Sequence, residues 1–126
     1  MPKWIKPFFI VAGLYDGILG MLFLLFPQQL LSMANITPPN HVGYIHFPAL
    51  LLIIFATMFF NIARDPAANR NLILYGIFFK ASYSGVVLFH WAQAAIPLMW
   101  VYFAFFDLIF LVIFIVAKKK IASEAL

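Results

Sequence analysis

Residues Phe8 to Phe26 read FFIVAGLYDGILGMLFLLF, nineteen residues with one charge, Asp16, at the ninth place. Nothing in this run alternates with period two, and no polar face breaks it. A helix rises 1.5 Å per residue, so a stretch of this length matches the roughly 30 Å hydrocarbon thickness of a bilayer. Lys3, Trp4 and Lys6 precede it as a basic and aromatic interfacial anchor, and Pro27 ends it. The run is too long for the apolar core of a signal peptide and lacks a small-residue cleavage site after Phe26, which makes it a retained helix.

Three more such runs follow. FPALLLIIFATMFF is the core of a second span over about 44–63, with Pro48 in its first turns. LILYGIFFKASYSGVVLFHW gives a third over about 71–91, and LMWVYFAFFDLIFLVIFIVA a fourth over about 98–117. Asp65-Pro66 reads as a helix-start pair, so the third helix is expected to begin in water and to enter lipid near Asn71. QQLLSMANI is amphipathic enough for a short surface helix before Thr37-Pro38-Pro39-Asn40 breaks it. The expected fold is all-α: one domain over 1–126, a bundle of four transmembrane helices.

Composition agrees. Of 126 residues, 66% are hydrophobic and 10% charged, where soluble domains carry about a quarter charged residues. The absence of cysteine excludes disulfides, thiolate metal sites, iron–sulfur clusters and dithiol redox chemistry. The net charge of +4 is no nucleic-acid footprint, because the cations flank the apolar runs. Lys3, Lys6, Arg64, Arg70, Lys118, Lys119 and Lys120 fall on one side of a four-span topology, and the other two connections carry none. By the positive-inside rule both termini are expected in the cytoplasm of a bacterial inner-membrane protein. Trp91, Trp100, Tyr102 and Tyr44 would form an aromatic belt on the opposite side.

Asp16, Lys80 and Asp107 each lie near the middle of a span, roughly 12–15 Å from an interface. A lone charge at that depth costs about 3 kcal/mol or more, so it is paired, buried in protein or used. On the first helix Gly13, Asp16, Gly17 and Gly20 share a face, and small residues let backbones approach. On the third, Gly76, Lys80, Tyr83, Ser84 and Val87 do so. Helices one, three and four are therefore expected to converge on a polar centre to which the second helix adds only Thr57. Lys80 would bridge Asp16 and Asp107, with Tyr15, Tyr83 or Ser84 completing the hydrogen bonds. Two carboxylates against one ammonium leave a surplus negative charge, which a proton or another cation would neutralise.

The remaining chemistry is sparse. His41, His46 and His90 map to one side and could offer imidazoles to zinc or copper, but they lack the short spacing of a metal motif. Phe103, Phe105 and Phe106 around Asp107 are the candidates to line a pocket for a lipid or quinone; no other cofactor is implied. No nucleophile–base pair, phosphate loop or metalloprotease signature is present, so an enzyme is not the expected reading.

The glycine-rich, charge-bearing first helix running into LLFPQQLL resembles the small four-helix DoxX-like membrane proteins of bacteria. That resemblance implies four helices, cytoplasmic termini and an accessory role beside redox partners; it carries no site residues. The small multidrug-resistance transporters also have four helices and an acid in the first, but Lys80 and Asp107 depart from their pattern. Three functions are compatible with these residues. The leading one is an accessory or scaffold subunit, with membrane lipids and other subunits or a second copy as partners. The alternatives are a proton- or cation-coupled carrier and a binding protein or enzyme for a lipid-like molecule.

Overall fold

The computed structural model describes residues 1–125 of the chain, with side chains through residue 123. It is all-helical. Four helices are long and apolar enough to cross a membrane: α1 (Ile5–Leu25), α3 (Gly43–Arg64), α4 (Arg70–Gln93) and α5 (Leu98–Ala125). The short α2 (Pro27–Met33) lies between the first two. Ile18 of α1, Ile54 of α3, Phe78 of α4 and Ile109 of α5 are all more than half exposed. A surface this apolar is suited to lipid, and the chain is an integral membrane protein.

The bundle is built from two antiparallel pairs, α1 with α3 and α4 with α5. The first pair is the tighter because α1 meets α3 through glycine. A Cβ placed on Gly20 would stand 2.7 Å from the Ala49 carbonyl oxygen, and one on Gly17 would stand 3.3 Å from the Ala56 Cβ. The expectation that the second span contributes only Thr57 is therefore corrected. The glycine face of α1 packs on α3, and the Thr57 hydroxyl turns back to its own helix, donating to Ile54 O at 2.6 Å. The reason is angular: Asp16 and the glycines occupy adjoining strips of α1, not one strip.

Aromatic rings join the two pairs near the end that carries the seven flanking cations. Phe9 stacks on Phe114 with centroids 5.3 Å apart, and Phe59 lies 5.0 Å from Phe114. Phe8 meets Phe110 at 5.6 Å. Phe9, Phe59 and Phe114 are fully buried, so this end of the interior is closed by packed rings.

The connection between α3 and α4 departs from the sequence reading at the expected helix start. Asp65 accepts a hydrogen bond from the Ala68 N–H at 3.2 Å, as a helix-start residue does, but the turn stops there and α4 begins at Arg70. Asn69 explains the stop: its Nδ2 donates to Asn61 O at 2.9 Å and to Asp65 O at 3.0 Å, closing the end of α3. Pro48 sits beyond the first turn of α3, so it removes the hydrogen bond that the Tyr44 carbonyl would otherwise receive. The short helix α2 forms within the stretch expected to be helical, and Asn35, whose φ of 56° is left-handed, closes it. Asn35 N–H donates to Ser32 O and Ile36 N–H to Leu31 O, the paired bonds of a Schellman ending.

Candidate functional site: a buried ion triad beneath an apolar cavity

Burial on α4 follows a stripe of Ile73, Gly76, Lys80 and Ser84, spaced three and four residues apart so that all face inward. Lys80 is fully buried. Its ammonium crosses the seam between the helix pairs, donating to Asp16 Oδ1 at 2.7 Å and to Asp107 Oδ1 at 3.0 Å. Three residues from three helices thus meet at one depth, as their positions within the spans suggest. Four rings surround the ammonium: Phe110, Tyr15, Phe79 and Phe59, with centroids 5.1, 5.3, 5.7 and 5.9 Å away. Their negative faces favour a cation that burial has stripped of solvent.

The hydroxyls expected to complete this network act elsewhere. Tyr83 OH donates to the Trp100 carbonyl at 3.0 Å, tying α4 to the start of α5. Ser84 Oγ donates to Lys80 O at 2.7 Å, one turn back in its own helix. Tyr15 OH is buried and has no hydrogen-bond partner, and neither has Asp16 Oδ2. Lys80 takes a single oxygen of each carboxylate because its ammonium is a compact point donor, unlike a guanidinium fork. The second oxygen of Asp16, itself a fully buried residue, is left over. Buried polar atoms are ordinarily satisfied, so two orphans in adjacent residues call for an explanation.

Above the triad a cavity of about 390 Å³ lies between the helix pairs. Asp16, Asp107 and Tyr15 stand at one end of it, and Tyr44 and Trp100 at the other, with Phe23, Phe79 and Phe103 among its walls. This size falls within the range of small-molecule sites, about 300–1,000 Å³. Of the three phenylalanines proposed from sequence, only Phe103 lines it; Phe105 and Phe106 are 46% and 50% exposed. At about 100° per residue, Phe103 falls about 40° from Asp107 around α5, whereas Phe106 is turned about 100° and Phe105 about 200° from it, toward lipid. The cavity's α3 wall, where Pro48 and Ala49 lie, had no signal in the sequence beyond the proline itself.

The histidines do not assemble. His41 Nδ1 accepts the Gly43 N–H at 2.9 Å at the start of α3, and among the described residues no group of three metal-ligating side chains comes together. A separate groove of about 380 Å³ follows the outer face of α1 and α3, past Gly13, Gly17 and Phe60, with wholly apolar walls. No protein-family model, no curated protein and no solved structure matches the chain.

Proposed function

We propose that this protein binds one amphipathic, lipid-sized molecule within the membrane, its tail in the cavity between the helix pairs and its head against the Asp16–Lys80–Asp107 triad. The observation that carries this reading is the coincidence of a cavity of about 390 Å³ with a buried carboxylate oxygen and a tyrosine hydroxyl that no protein group satisfies. A ligand head supplies what they lack. The closed ring layer of Phe9, Phe59 and Phe114 on the other side of Lys80 supports binding over passage, so a coupled carrier is the weaker alternative. The cation pattern supports a ring layer on the cytoplasmic side and a cavity mouth on the outer side.

A second reading, an accessory subunit of a membrane complex, draws support from the likeness to DoxX-like proteins and from the apolar groove along α1 and α3. One purification separates the two. The chain is extracted with its surrounding lipid in polymer nanodiscs, and both bound small molecules and companion proteins are quantified by mass spectrometry. One amphiphile per chain, lost on Leu19→Trp within the cavity, is the expected result. A stoichiometric membrane partner with an empty cavity would favour the subunit reading instead.

A further inference from the structure

The head group of that ligand can be specified, on the premise that the cavity is a binding site. We infer that it is a protonated amine: the site takes a single-chain lipophilic amine whose ammonium seats against the carboxylate edges of Asp16 and Asp107 that Lys80 leaves free. Three observations converge. Lys80 engages Oδ1 of each carboxylate, while Asp16 Oδ2 accepts nothing. The unmet need is thus for a donor, and a quinone or ester carbonyl, being an acceptor, would set lone pair against lone pair.

Charge points the same way. One ammonium faces two carboxylates, and the seven flanking cations lie toward the helix ends, clear of the triad. A ligand cation brings the buried triad to neutrality, whereas a fatty-acid carboxylate would raise the surplus. An alcohol could donate to Asp16 but would leave the charge uncompensated. The walls complete the fit. Phe23 lies 5.9 Å from Trp100 and 6.4 Å from Phe103, forming an aromatic cluster beside the cavity, which suits an apolar tail. Tyr15, whose ring already faces the Lys80 ammonium at 5.3 Å, adds a free hydroxyl that can accept from the incoming ammonium.

The test uses the full chain in phosphatidylcholine nanodiscs with three probes of equal tail length: dodecylamine, dodecanol and dodecanoic acid. Binding is read by native mass spectrometry against protein-free discs. The expected result is one bound dodecylamine, held about tenfold or more tighter than dodecanol, with dodecanoic acid weaker still. Asp16→Asn is expected to abolish the preference for the amine. Equal binding of amine and alcohol, or an amine preference untouched by Asp16→Asn, would overturn the amine assignment and leave the cavity reading standing. If none of the three binds, both fall. The amine-to-alcohol ratio on the unsubstituted chain, with Asp107→Asn as second variant, decides the matter even if Asp16→Asn does not assemble.

Discussion

Lys80 reaches across 64 positions of sequence to place its ammonium 2.7 Å from Asp16 Oδ1. Among the described residues this contact is a polar link between the α1/α3 pair and the α4/α5 pair, set among ring contacts such as Phe55 on Phe79 at 3.9 Å. With no water to exchange against, the apolar helix faces gain little from each other over lipid, so polar bonds of this kind weigh more on which faces meet.

Replacing Lys80 by Met keeps the stem and removes the charge, leaving two carboxylates buried without a partner. Destabilisation by about 3–5 kcal/mol is expected. The triple variant Asp16→Asn, Lys80→Met, Asp107→Asn should recover much of that loss, because it removes the uncompensated charges as well. Denaturant titration in mixed micelles, followed by circular dichroism, measures both. A triple variant no better than Lys80→Met would show that the charges themselves are not the source of the penalty.

The glycines give a graded series. At Gly20 an added methyl meets the Ala49 carbonyl oxygen at 2.7 Å, and backbone cannot move aside. Gly20→Ala should cost about 1–3 kcal/mol by forcing α1 from α3. Gly13→Ala meets the Phe60 ring at 2.6 Å, but Phe60 is 40% exposed and can rotate into lipid, so its cost should be smaller. Gly85 has nothing within 4 Å of the added atom. Gly85→Ala should stabilise α4 by up to about 1 kcal/mol through helix propensity alone. The order of the three melting temperatures checks the packing of the first pair.

The orientation is open to a clean test because the chain has no native cysteine. Single cysteines at the exposed positions Ala67 and Ser123 should react with an impermeant maleimide only after cells are broken. Those at the exposed positions Asn40 and Gln93 should react on intact cells. Labelling of Asn40→Cys and Ala67→Cys from the same side would contradict a membrane-spanning α3.

The four helices and the meeting of Asp16, Lys80 and Asp107 were legible because hydropathy and depth are one-dimensional properties. Counting inward from the ends of a span places a residue at its depth whatever its neighbours are. Azimuth is different. Whether Gly20 faces α3 or α5, and whether Phe105 or Phe103 faces the cavity, depends on which pairs of helices close, and four apolar helices look alike on all sides. Hydroxyls are harder still. Tyr83 could have served Asp107 as well as the Trp100 carbonyl by composition, and its choice follows from where α5 begins. The site thus showed its charges in the sequence and hid its cavity.

Tyr15 offers the sharpest separation of stability from binding. Its hydroxyl is buried without a partner, and an unsatisfied buried hydroxyl carries a desolvation cost of about 1–3 kcal/mol. Tyr15→Phe removes that cost and keeps the ring beside Lys80 and its 5.2 Å contact with Phe110. The ligand-free protein should therefore be as stable as the parent or more so, by up to about 1 kcal/mol. If the hydroxyl contacts a bound head group, the same change should reduce the stabilisation conferred by saturating dodecylamine, since the shift grows with affinity as RT ln(1 + [L]/Kd). Melting curves with and without the amine measure both effects on one variant. A Tyr15→Phe protein that loses stability without ligand would mean that the hydroxyl is satisfied within the folded bundle.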